Sequence, residues 1–211
     1  MTFIGVADLA DLADRARSIQ AGAGRRVIIG IAGPPGVGKS TIASRLVDLL
    51  GPFSSLLPLD GYHLSNRMLA ELGRSSQKGS PDTFDVFGYL SLLDRLRQNE
   101  EETVYSPSFD RQLDEPIAGD IAIPRSSRII ITEGNYLLTA REGWTAVRGK
   151  LDAAWYVDGP HDVRLSRLTA RHIEFGKDPE YARSWASGPD EANAALIAES
   201  RDAADMIVVN G

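Results

Sequence analysis

The chain has no cysteine among its 211 residues. That excludes disulfides, zinc–thiolate sites, iron–sulfur clusters and cysteine nucleophiles together, and is compatible with a reducing cytoplasm. Histidine is scarce: His63, His161 and His172 are the only three, and they do not fall at a metal-ligand spacing. There is no excess of positive charge, since 23 basic residues against 29 acidic ones leave a net charge of −6. Nucleic acids and anionic membranes are bound by basic surfaces, so neither is an expected partner. No apolar run approaches the ~20 residues of a membrane span. The first residues do not read as a signal peptide either, because Asp8, Asp11 and Asp14 interrupt any apolar stretch. A cytoplasmic location is therefore expected. Internal repeats and low-complexity segments are also missing. What remains is 43% hydrophobic and 25% charged, the composition of one ordinary globular domain with a sizeable core.

The most informative stretch that is present is Gly33, Pro34, Pro35, Gly36, Val37, Gly38, Lys39 and Ser40, followed by Thr41. It fits the phosphate-loop pattern G-x-x-x-x-G-K-[ST] at every fixed position. The flanks fit as well. Residues 27–32 are a short apolar run rich in β-branched side chains, as in a buried parallel strand. Ile42, Leu46, Leu49 and Leu50 follow helical spacing, and Gly51-Pro52 ends that helix. Glycines let the backbone come close to a polyphosphate, so that successive N–H groups and the helix N-terminus face it. In this motif Lys39 reaches the β- and γ-phosphates and Ser40 offers its hydroxyl to Mg²⁺.

Strand and helix signals alternate through the rest of the chain, which predicts an α/β fold with a mostly parallel five-stranded sheet. The strands are expected at 27–32, 55–59, 128–132, 153–157 and 204–209. Helices are expected near 88–98, 161–175 and 190–202. Leu9, Leu12, Ala16 and Ile19 mark an amphipathic N-terminal helix within 1–24. Residues 99–127 read as loop or hairpin.

Open α/β sheets bind ligands at the carboxyl ends of their strands. The second strand runs into Asp60, Gly61, Tyr62 and His63, and the third into Glu133. Asp60 is the candidate to orient an acceptor hydroxyl and take its proton, against the alternative of a turn aspartate. Glu133 either holds Mg²⁺ or binds the acceptor. Arg164, Arg167 and Arg171 share helical spacing, and Arg171 is favoured to offset charge on a transferred phosphate. Phe175, Gly176 and Lys177 then give a flexible exit, suited to a lid over 161–188. His63 is either an acceptor ligand or a satisfied loop histidine. His161 and His172 read as surface residues. Tyr105 to Arg111 is either an acceptor-binding segment or a connection held by aromatic packing.

Taken together, GPPGVGKST, LDGYHLSN, KGSPDTFD with Tyr89, YSPSFDR, IIITEGNYLL, RHIEFGKDP and DEANAALI resemble the uridine kinase, phosphoribulokinase and bacterial pantothenate kinase group. The likeness runs from about Val27 to Val209 and is nearer to a bacterial nucleoside/nucleotide kinase-like subgroup often labelled fructose transport system kinase. It implies a three-layer P-loop fold with helices flanking the sheet, a helical lid, ATP with Mg²⁺, and a small-molecule hydroxyl acceptor. It places Asp60 at the catalytic aspartate, Arg171 at the lid arginine, and Tyr62, His63 and Asp85 near the acceptor. Residues 202–205 would lie near the adenine. Related kinases form dimers or larger homo-oligomers. YSPSFDR departs from the uridine-binding stretch of true uridine kinases, and the larger helical additions of pantothenate kinases are missing, so the acceptor is left open.

Three other nucleotide-binding classes compete. A GTPase needs an N-K-x-D motif, which is absent. Transport ATPases carry an Asp–Glu pair where this chain has Thr132-Glu133, and an L-S-G-G-Q-type signature, also absent. A non-catalytic ATP sensor or regulatory subunit linked to sugar transport keeps the same loop, so only Asp60 and the arginine helix argue against it.

Overall fold

A computed structural model describes residues 2–4 and 8–210. The strands are β1 (Thr2–Ile4), β2 (Val27–Ala32), β3 (Ser54–Pro58), β4 (Thr103–Asp110), β5 (Glu115–Pro124), β6 (Ile129–Glu133), β7 (Ala153–Asp158) and β8 (Met206–Val209). The helices are α1 (Leu9–Ala23), α2 (Lys39–Leu50), α3 (Asn66–Glu71), α4 (Val86–Gln98), α5 (Thr145–Gly149), α6 (His161–Glu174), α7 (Pro179–Ser187) and α8 (Pro189–Ala198).

The main sheet has six strands in the order β1-β8-β7-β2-β6-β3, and every pairing is parallel. Five are the strands expected from the sequence. The sixth, β1, is three residues long, too short to leave a periodicity signal, and it pairs with β8. All six residues of β2 are buried, as the centre of a parallel sheet covered on both faces requires. Side chains alternate across it. Val27, Ile29 and Ile31 pack with Leu12, Ala16, Ile42 and Leu46 of α1 and α2. Ile28 and Ala32 join Leu92, Leu93 and Leu96 of α4 and Ile197 of α8 on the other face. The layers are therefore helix, sheet, helix.

Residues 99–127 resolve into an antiparallel hairpin of β4 and β5, separate from the main sheet. It lies against the turn that follows β3: a Cβ on Gly61 would run into the Pro107 carbonyl. Only glycine permits that approach, and it fixes the hairpin beside Asp60.

The helical stretch beyond β7 is broken into α6, α7 and α8 rather than the two helices expected. Asp178 caps α7 by accepting from the Glu180 and Tyr181 N–H groups, and Pro179 takes its first position. Pro189 likewise opens α8.

Candidate active site

The parallel sheet brings three strand ends to one rim. Pro58 and Ile31 are both level with Glu133 across the sheet, so the phosphate loop, the Asp60 turn and Glu133 are neighbours. A cavity of about 440 Å³ opens there, lined by Pro35, Gly36, Gly38, Lys39, Ser40 and Thr41 of the loop, and by Asp60, Arg111, Glu133 and Asn135. α6 and its C-cap contribute Arg167, Arg171, Glu174 and Phe175. Gly33, Pro34 and Val37 of the loop do not line the cavity, and Val37 is buried in the core.

Gly36 sits at φ +79°, and a Cβ on it would lie 2.6 Å from the Arg164 carbonyl. The bare backbone is what leaves a concavity for an anion. The Lys39 ammonium donates to the Pro34 carbonyl at 2.9 Å. Burial pushes its pKa down to about 8, against the pull of Glu133 and Asp60. A desolvated cation whose only hydrogen-bond partner among the described residues is a carbonyl is suited to a polyphosphate. Ser40 Oγ donates to Glu133 at 3.0 Å. Burial and the neighbouring Asp60 push the Glu133 carboxyl above the ordinary range.

Asp60 lies in a 3₁₀ turn over Leu59–Tyr62. Burial raises its pKa, but the surrounding cations outweigh burial and leave it below the ordinary value. A charged His63 would contribute most, yet burial holds His63 below its own usual value. At neutral pH the effective cations are therefore Arg111, Arg171 and Lys39. Arg111 pairs with Asp60 at 3.0 Å. Arg171 faces both; burial and Arg111 push its guanidinium down, and among the described residues no carboxylate lies within ion-pair distance of it. Arg164 plays a different part from the other two arginines. It is 4% exposed and holds the Pro35 carbonyl and Glu191, so it braces the loop rather than facing the cavity.

A second cavity, about 150 Å³, shares Pro35, Asp60, Arg111, Asn135 and Arg171 with the first and extends beneath the α6–α8 segment. His63 lines it, sandwiched between Phe84 and Phe109 at ring distances of 4.0 and 4.9 Å. Lys78, His172, Lys177, Trp185, Asp190 and Asn193 close it.

Several sequence expectations need correction. Tyr62 does not line either cavity: it is buried, edge-on to Tyr89 at 5.2 Å, and burial pushes its phenol up to about 12. Asp85 is exposed and caps α4, its carboxylate accepting from the Gly88 N–H at 2.8 Å. Tyr105 is 59% exposed, because strand alternation turns Ser106 inward and Tyr105 out. Asp205 holds the Ala154 N–H and Arg148 where β8 begins, away from the carboxyl rim that carries the phosphate loop. His172 is half-hidden and bonded to Asp190 at 2.8 Å, rather than a plain surface residue. Sequence reasoning missed Lys78, Asn135, Asp190 and Asn193. It also missed Asn210, whose amide donates to the Val37 carbonyl at 2.7 Å and steadies the loop from the last strand. Asn135 alone had a signal, its place just past a strand end.

Comparison with known proteins agrees with this geometry. A structure from Silicibacter sp. TM1040, provisionally named a fructose transport system kinase, superposes with a TM-score of 0.86 at 33% identity, covering 95% of this chain and 98% of that one. An ATP-dependent kinase-like protein of Aspergillus versicolor is 36% identical over 59% of this chain and 76% of its own length. The protein YggC of Escherichia coli is 30% identical over 87% and 78%. Residues 28–210 match the Phosphoribulokinase / Uridine kinase family, and the chain belongs to that family of small-molecule kinases.

Proposed function

We propose that the protein transfers the γ-phosphate of ATP to a hydroxyl of a small molecule. The observation that carries this is the sharing of Asp60, Arg111, Asn135 and Arg171 between the phosphate cavity and the cavity beneath the lid. A donor phosphate and an acceptor hydroxyl then meet at one carboxylate.

The loop and Lys39 hold the β- and γ-phosphates. Ser40 and Glu133 are the groups to hold Mg²⁺, which neutralises phosphate charge when bound. Among the described residues no cluster of three or more His, Asp and Glu forms a dedicated metal cage. Mg²⁺ at such sites relies on one or two protein groups plus phosphate and water, so the residues fit. Asp60 accepts the acceptor's hydroxyl hydrogen bond and aims its oxygen at the γ-phosphorus; as the new O–P bond forms, the bond from the γ-phosphorus to the bridging oxygen breaks and ADP leaves with that electron pair, while the hydroxyl proton passes to Asp60. The low pKa makes Asp60 a weak base, so orientation is the larger part of its work. Lys39 and Arg171 offset charge on the phosphoryl oxygens.

The test is ADP release from ATP·Mg²⁺ across sugars, nucleosides, pantothenate and glycerate, with Asp60→Asn as control. A pantothenate kinase of Leifsonia xyli is 30% identical over 81% of this chain, so pantothenate belongs in the panel. Asp60→Asn is expected to lower kcat by about 10²–10⁴ while ATP affinity stays within a few-fold. Near-normal turnover in the variant would remove Asp60 from the chemistry. Tight ATP binding with no acceptor-dependent release would favour a nucleotide sensor.

A further inference from the structure

Resting on that kinase reading, we propose that the acceptor carries an anionic group of its own, a carboxylate or a phosphate, and that Lys177 receives it under the lid.

The argument is an account of which charges in the acceptor cavity are already committed. Three carboxylates line it: Asp60, Asp114 and Asp190. Each has a partner. Asp60 pairs with Arg111 at 3.0 Å, Asp114 with Lys78 at 2.8 Å, and Asp190 with His172 at 2.8 Å. Lys78 is further tied to the Asn66 amide oxygen at 2.7 Å and lies over the Phe109 ring, so it clamps the hairpin to α3 and is not available to a ligand. Two cations on the cavity wall have no acid partner among the described residues: Arg171 and Lys177. Arg171 also lines the phosphate cavity, where the transferred group requires it. Lys177 remains.

Lys177 is positioned rather than loose. Its ammonium lies 4.8 Å from the centre of the Trp185 ring and 5.6 Å from that of Tyr181, contacts that hold a cation without neutralising it. Its backbone N–H donates to the His172 carbonyl at 3.0 Å, joining the two residues across the end of α6. The mouth of the site repeats the pattern: Arg111, Arg171 and Lys177 surround it, and its one acid, Asp114, is the one bound to Lys78. In a chain of net charge −6, two cations without an acid partner among the described residues, Arg171 and Lys177, thus stand where the acceptor enters. A neutral polyol would leave Lys177 uncompensated once the lid closed, whereas an anion would complete it.

The test is calorimetric titration of the full chain, loaded with Mg²⁺ and a non-hydrolysable ATP analogue, using matched charged and neutral probes. These are D-glycerate against glycerol, pantothenate against its alcohol, and ribulose 5-phosphate against ribulose. The first two pairs report a carboxylate and the third a phosphate. In at least one pair the charged member should bind about tenfold tighter or better. Lys177→Gln should abolish that preference, Lys177→Arg should keep it, and analogue affinity should be unchanged in both. Equal or tighter binding of the neutral members, no binding by any probe, or a preference surviving in Lys177→Gln would each overturn the proposal. Parallel turnover separates the two readings. Phosphorylation of neutral acceptors alone sinks the anion pocket and leaves the kinase. Charge-selective binding without turnover leaves the pocket and sinks phosphotransfer.

Discussion

Lys39 is held in a state that only a ligand relieves. Burial makes its charge costly, and its pKa falls to about 8. Bound phosphate would favour the charged form and raise that value again. ATP affinity should therefore be full below about pH 7 and fall as pH rises through 8, because the free protein then holds a neutral lysine. A fluorescent-nucleotide titration between pH 6.5 and 9.5 checks this; affinity flat across that range would remove Lys39 from phosphate binding. Asp60, with its lowered pKa, stays ionised throughout. At this scale the sequence spoke unevenly. Lys39, Ser40, Asp60 and Glu133 were legible because a motif or strand end fixes their place. Tyr105 and Asp85 were not, because proximity in sequence to a site says nothing of which way a side chain turns. Lys177 was legible only as part of a lid exit, since its meaning depends on Trp185 and on acids that are paired elsewhere.

Elements decide the shape of the phosphate loop. Gly36 takes a left-handed φ and lies against the Arg164 carbonyl of α6, so loop and lid root are packed without room for a methyl group. Gly36→Ala is expected to cost about 1–3 kcal/mol of stability from the backbone conformation and to weaken ATP binding more than tenfold, read by thermal unfolding with and without ATP. Unchanged binding would show that the loop adapts. The alternation of strands and helices made five strands and the α1, α2, α4 and α6 helices readable in the sequence, since each carries a full period of apolar residues. The hairpin was foreseen only as one of two options for 99–127, because its strands carry mixed polar and apolar faces. α6 and α8 fall where helices were expected near 161–175 and 190–202; α7 was not foreseen, because it is short and its start depends on a local cap at Asp178.

For the molecule as a whole, Arg26 is a joint. It is 3% exposed and donates to the carbonyls of Ser127, Leu96 and Pro124, tying the start of β2 to the ends of α4 and β5. Arg26→Leu strips three carbonyls, two of them fully buried, of a charged donor and should cost about 3 kcal/mol in urea unfolding, with ATP affinity little changed. A loss under ~1 kcal/mol would mean that water replaces it readily. The joint lies at the opposite rim from the active site, so the two can be perturbed separately. The other rim carries a constraint of a different kind. Water is itself a hydroxyl, present in vast excess over any metabolite, and a kinase that activates it squanders ATP. Asp60 pairs with Arg111, and Arg111 comes from the hairpin rather than from the sheet. Under the proposed phosphotransfer, the Asp60–Arg111 pair would couple the carboxylate's freedom to orient a hydroxyl to the position of the hairpin, and so favour an acceptor that fills the cavity over water.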